Sequence, residues 1–248
     1  YQTGQAEAQH SLFGDENAAD IATPPIPDGE QWNTLERLNR ERDLVGIYLS
    51  AHPLDEFSIV LNSMCNTHCS ELDNKAELAK KADITIGGII TGVKSKFTKN
   101  GKPCGFVTME DFDGNGELAL FGEEWGKWKG MLTEGCTVYI MAKCVQKYRD
   151  SDYYDFRISD IQYMQTIKKE RIEKFTITMN DVAVDESLVN DIATMVVQNP
   201  GTTQLYIQIV DKEHNNSILL RSMAKTVNLT HDFINYIESN PEISYHVN

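Results

Sequence analysis

No stretch of the 248 residues approaches the roughly 18 uninterrupted apolar residues that a membrane-spanning helix needs. The first residues also lack the charged, apolar and small blocks of a secretory signal. Cysteine is scarce and odd in number: Cys65, Cys69, Cys104, Cys136 and Cys144. Five thiols make a poor disulfide framework and suit a reducing cytosol, so a cytoplasmic location is expected. Cys65 and Cys69 flank His68, but no second Cys/His pair follows at a matching distance. Zinc usually takes four ligands, so ordinary thiols are the preferred reading. There is no nucleophile triad, phosphate-cradling glycine loop or dinucleotide fingerprint. Asp111 and Asp113 bracket a turn and read as solvated turn residues rather than as a two-metal site. The chain opens on Tyr1 rather than Met, which is expected of a piece of something longer. Positive charge is also short: 23 Lys and Arg against 37 Asp and Glu, a formal charge of −14. That excludes a whole-surface nucleic-acid binder, which would be basic.

The acidity is uneven. Residues 1–83 carry six Lys/Arg against fifteen Asp/Glu, residues 84–162 ten against eleven, and residues 163–248 seven against eleven. The middle third is the least hostile to phosphate, so any nucleic-acid contact is expected there.

Composition and periodicity divide the chain into four. Residues 1–30, with Gly4, Gly14, Pro24, Pro25, Pro27 and Gly29, read as a flexible arm whose one apolar pair is Leu12-Phe13. Residues 31–82 read as a helical hairpin and linker. Leu35, Leu38, Val45 and Leu49 mark one helix, and Leu54, Phe57, Leu61 and Met64 mark a second one starting at Pro53. His52 beside that proline reads as a turn or cap residue rather than a ligand. From residue 83 to 163 the period becomes strand-like. Ile84 to Ile90 with Gly87-Gly88 and Gly92 makes a glycine-bent first strand, and Asn100-Gly101 signals a hairpin. Phe106–Met109, Leu118–Phe121, a helix over Glu123–Leu132, Val138 towards Lys147, and Tyr153–Ile161 follow. Three strands, a helix and two strands is the order of a five-stranded OB-fold barrel. Residues 164–248 read as a small α/β domain in the order β-α-β-β-α-β, with helices at Asp185–Gln198 and His231–Ser239. The expected fold class is α+β, mainly β.

Two groups carry a function. Gln9, His10, Ser11, Leu12 and Phe13 resemble a pocket-docking peptide: two apolar side chains to fill a cleft, and a glutamine amide to fix register. Around the first barrel hairpin, Lys94, Lys96, Lys99 and Lys102 have no acidic residue among them. Phe97 is interleaved and Phe106 follows. Lys147, Tyr148, Arg149 and Tyr153 repeat the pattern at the turn between strands four and five. Cations that track phosphate and aromatics that stack on bases are the requirements of single-strand binding. Tyr153 and Tyr154 alternate across the strand, so only one of them faces a ligand.

These residues also carry a family resemblance. Gln-x-x-Leu-Phe at Gln9–Phe13 is similar to the internal sliding-clamp-binding motif of the bacterial DNA polymerase III alpha subunit. Glu41 to Asp55, through Tyr48-Leu49-Ser50-Ala51-His52-Pro53, resembles the family's lead-in to its OB-fold, with Ala51 where many members have glycine. Gly88-Ile89-Ile90, Lys99-Asn100-Gly101-Lys102, Glu110-Asp111 and Leu120-Phe121 resemble the OB segment itself. The resemblance covers most of residues 1–162 and is weak beyond 165. It implies a non-catalytic C-terminal portion of a replicative polymerase, a nucleotidyltransferase active in DNA replication. The implied partners are the sliding clamp, single-stranded DNA and, for the tail domain, the clamp-loader tau subunit. It implies no catalytic residue and no cofactor in this chain, with magnesium used by an upstream catalytic region.

Two other classes compete. A free-standing OB-fold module for single strands or for protein docking would not need the arm and would rarely be so acidic. An aminoacyl-tRNA synthetase would need an ATP-binding catalytic domain that the last 85 residues cannot hold.

Overall fold

A computed structural model describes residues 32, 34–46, 48–147 and 153–248. Helix α1, Thr34–Val45, lies in the unit that ends at Tyr48, and residues 49–248 form a second compact unit. In α1 the Arg40 guanidinium sits 4.1 Å from the Trp32 ring and 3.2 Å from the Glu36 carboxylate one turn away.

The second unit begins with a break that the sequence pattern did not predict. Residues Asp55–Phe57 form a 3-10 turn, and helix α2 runs only over Ser58–Met64. His52 explains the delay. Its Nδ1 accepts from the Leu54 amide at 3.2 Å, while its own amide donates to Asp55 Oδ2 at 2.7 Å. The turn is thus tied to side chains, as expected of His52. Helix α3, Lys75–Leu78, closes the linker.

The barrel strands are β1 Ile84–Phe97, β2 Pro103–Glu110, β3 Asn115–Phe121, β4 Thr137–Gln146 and β5 Tyr154–Tyr163, with helix α4, Glu123–Trp128, between β3 and β4. Every pairing is antiparallel, in the order β3-β2-β1-β4-β5. β1 serves both halves: Ile84–Ile89 pairs with β4 and Ile89–Phe97 with β2. Its register shifts between Ile90 and Gly92, where the strand bends as its glycines predict. Gly88 is required because a Cβ there would lie 2.7 Å from the Glu110 carbonyl oxygen. At the seam between β3 and β5, Glu124 Oε1 accepts from the Ile158 amide at 2.7 Å. This is the OB topology, filled by Ile84, Ile86, Ile90, Val107, Met109, Leu118, Leu120, Trp125 and Trp128.

Helix α5, Met164–Glu170, was not legible as a helix. It buries Met164 and Ile167 in a cluster with Leu54, Phe57 and Ile59 from the entry turn and helix, Ile89 and Tyr139 of the barrel, and Phe175 beyond it. The C-terminal segment has β6 Lys174–Asn180, α6 Glu186–Gln198, β7 Pro200–Asp211, β8 Asn216–Val227, α7 His231–Ser239 and β9 Ile243–Val247. Its sheet order is β8-β7-β6-β9, with β6 and β7 parallel, matching the expected element order. β7 and β8 are longer than their apolar runs. Ser222 Oγ donates to the Lys225 carbonyl and accepts its amide, and this self-bonded bulge carries β8 on to Val227. Asp185 and Thr230 cap α6 and α7 by accepting from Leu188 and Phe233 amides.

Candidate nucleic-acid interface

Strand register decides which side chains share a surface, because directly opposed residues lie on one face of a sheet. Lys94 opposes Phe106, which opposes Ala119; Lys96 opposes Cys104, which opposes Phe121. Lys94, Lys96, Phe106 and Phe121 therefore share the outer face, while Val107, Met109, Leu118 and Leu120 point into the barrel. Gly105 belongs to the inner set, and the Trp125 ring occupies the space a Cβ would need there.

The outer face is assembled from rings with cations beside them. The Phe106 and Phe121 centroids are 6.3 Å apart, edge to face at 84°. Lys96 Nζ lies 5.9 Å from the Phe106 ring and Lys147 Nζ 5.5 Å from the Phe121 ring, both within cation–π range. A cleft of about 600 Å³ opens beside Phe121, lined also by Lys102, Pro103, Gly122, Glu123, Glu124 and Arg157. Lys94, Lys96, Lys99 and Lys102 form no ion pair among the described residues. Lys147 is held 2.9 Å from Asp155, and its amide closes the strand 4–5 turn on the Tyr153 carbonyl.

The site residues expected from sequence are therefore divided. Lys96, Phe106 and Lys147 come together, with Lys94 on the same face and Lys102 at the cleft. Lys99 is at the exposed hairpin tip, where Gly101 adopts a φ of 71° and donates to the Thr98 carbonyl. Phe97 is 77% exposed but opposes Pro103, one residue out of phase with Lys94 and Lys96, so it faces away from them. Tyr153 is 71% exposed, and Tyr154 packs on the barrel core. Tyr148, Arg149 and the whole Gln9–Phe13 peptide lie outside the described residues. Phe121 and Arg157 were missed. Phe121 had a usable signal: with Leu118 and Leu120 inward at period two, Phe121 must point out.

Near the β2–β3 turn, Asp111 serves the backbone. Burial pushes the Cys65 thiol up to about 12, with Asp111 adding to the shift, and Cys69 moves further in the same direction for the same reasons. Asp111 is buried and accepts from Cys69 N at 2.7 Å on Oδ2, and from Asp113 N and Gly114 N at 3.0 and 3.1 Å on Oδ1. His68 Nδ1 stands 2.7 Å from Asp113 Oδ2. His68, Asp111 and Asp113 are close enough together to hold an ion, yet Asp111 is already committed to three amides. In the C-terminal segment an apolar groove of about 380 Å³ runs between α6 and β7–β8, lined by Val189, Ile192, Val196, Leu205, Ile207 and Leu220. Nearby Ile218, Leu219 and Met223 are also exposed.

Residues 175–248 match the family model for the DNA polymerase III alpha subunit, C-terminal domain. DNA polymerase III subunit alpha of Saccharopolyspora erythraea is 27% identical over 215 residues, 83% of this chain and 18% of that protein. The chain resembles the C-terminal region of DNA polymerase III alpha subunits. The Treponema pallidum alpha subunit is 30% identical over 117 residues, 47% of this chain and 10% of that protein. The chain thus spans less than a fifth of the length of these curated relatives. The resemblance seen in the motifs is borne out, and it extends into the tail, where the motifs were weakest. Among solved structures, a mitochondrial single-stranded DNA binding protein from S. cerevisiae, Rim1, aligns with 33% of this chain and 94% of its own. The identity is 14% and the TM-score 0.26. Among the described residues, no helix is long and apolar enough to cross a membrane.

Proposed function

We propose that this chain is the non-catalytic C-terminal portion of a replicative DNA polymerase, and that its OB-fold holds single-stranded template on the Phe106–Phe121 face. The observation that carries the reading is the placement of Lys96 and Lys147 beside those two rings. Bases stack on exposed rings whatever their identity, and flanking ammonium groups take the phosphates. The local cations act over about 8 Å at physiological salt, so they outweigh the distant acidic surface of the chain at short range. In this reading Gln9–Phe13 tethers the polymerase to the sliding clamp, and the apolar groove between α6 and β7–β8 receives the clamp-loader tau subunit. Catalysis and its magnesium belong to an upstream region, in the cytoplasm, and this chain needs no cofactor.

Fluorescence anisotropy with labelled oligothymidine tests the DNA contact. Phe106→Ala plus Phe121→Ala should weaken binding by about tenfold or more, since each stacked ring contributes about 1–3 kcal/mol. Unchanged affinity in a folded double variant would move the reading to a free-standing protein-docking OB module, for which the same two rings, one exposed and one half-buried, would be protein contacts.

A further inference from the structure

Lys147 differs from the other lysines of the candidate interface. Lys94, Lys96, Lys99 and Lys102 make no ion pair among the described residues. Lys147 Nζ lies 2.9 Å from Asp155 Oδ2 and 5.5 Å from the Phe121 ring, so one ammonium group serves both an ion pair and the aromatic face. Strand register accounts for the pair. Asp155 opposes Val145 of β4, and the Lys147 amide donates to the Tyr153 carbonyl at 2.8 Å, nearer the turn. Lys147 and Asp155 are therefore diagonal neighbours on one face of the β4–β5 ladder, within reach of a long side chain. Along that face β5 presents Tyr153, Asp155 and Arg157 in a row. Tyr153 and Arg157 are exposed, and Arg157 lines the cleft beside Phe121. The Lys147 side chain is 41% exposed and that of Asp155 24%, so the pair contributes little to the fold and opens readily.

We propose that Asp155 is an internal competitor for the phosphate of a bound strand. This rests on the single-strand reading above. In the free chain the carboxylate occupies Lys147. A strand on the Phe121 face brings a phosphate of the same charge sign and with the same kind of acceptor oxygen, and the ammonium group exchanges one partner for the other. The new contact is offset by the one it replaces. Lys96, beside Phe106, has no ion pair to break and contributes its full attraction. The interface is graded as a result: the hold is firmer at Phe106 and weaker at Phe121, where the strand is released readily. Ready release suits a template that moves past the protein.

Fluorescence anisotropy of the full chain with labelled oligothymidine of about twelve nucleotides tests the exchange through a double-mutant cycle. Asp155→Asn keeps the shape of the side chain and removes its charge. It should tighten binding about threefold, the strength of a part-exposed ion pair. In a Lys147→Gln background there is no cation to compete for, and most of that gain should be absent. An equal gain in both backgrounds would show that Asp155 acts only by repelling the strand, and would overturn the exchange. Unchanged binding by Asp155→Asn overturns it too, as does weaker binding, which would make the carboxylate a support that holds Lys147 over Phe121. Each of these results leaves the interface standing if Phe106→Ala plus Phe121→Ala still weakens binding. If that double variant binds as wild type does, the interface and the competitor fall together.

Discussion

Replacing Asp111 should destabilise the barrel in a graded way that separates a backbone anchor from a solvated turn residue. Its carboxylate is 6% exposed and takes three amide donors, one on Oδ2 and two on Oδ1. In Asp111→Ala the Cys69 amide is left inside a buried pocket with no acceptor, at a cost of about 1–3 kcal/mol. The Asp113 and Gly114 amides are nearer to water and lose less, so a total of about 3 kcal/mol is expected. Asp111→Asn retains one acceptor oxygen. Whichever way the amide is turned, its NH2 faces an N–H donor, either Cys69 or the Asp113–Gly114 pair. An intermediate loss of about 1–2 kcal/mol follows. Urea unfolding followed by tryptophan fluorescence should show midpoints in the order wild type, Asn, Ala, with little change in slope. For a unit of this size, 3 kcal/mol corresponds to a melting temperature lower by about 6–12 °C. An asparagine variant as stable as wild type would refute the argument, since it would mean that Oδ1 and Oδ2 are not both holding amides.

Three further outcomes are expected. Lys96→Glu plus Lys102→Glu should flatten the log–log salt dependence of single-strand binding by about 1.4, at roughly 0.7 per phosphate contact; an unchanged slope would place the phosphates elsewhere. A peptide of residues 5–16 should bind purified sliding clamp with a Kd on the order of micromolar, and Leu12→Ala plus Phe13→Ala should remove most of that affinity, as surface plasmon resonance would show. Stability should decline at alkaline pH. The Cys65 thiol is raised from an ordinary value of 9.0 to about 12 in the folded chain, so its contribution is whole below pH 9 and is lost as the pH rises towards 12. Cys65→Ala should blunt that alkaline limb in pH-dependent unfolding, and an unaltered limb would assign it to other groups.

The sequence by itself was enough for the element order of the barrel and of the tail, because strand alternation, glycine bends, the Asn100-Gly101 hairpin and helix caps are local effects encoded within a few residues. It was also enough for the lysine run and for the family resemblance. It left the second helix too early, because the competing hydrogen bonds of His52 and Asp55 depend on side-chain geometry that periodicity does not record. It missed α5, a seven-residue helix too short to be held by propensity alone and dependent on burial of Met164 and Ile167. The composition of the candidate interface was a tertiary decision. Phe97 is adjacent to Lys96 in sequence but opposed to Pro103 in the sheet, whereas Phe121, 25 residues away from Lys96, shares its face through Cys104. Arg157 of β5 joins the cleft beside Phe121 only when β3 approaches β5 across the seam. Contact across a sheet depends on register and barrel closure, both of which sum interactions over the whole chain, and no local pattern in the sequence contains them.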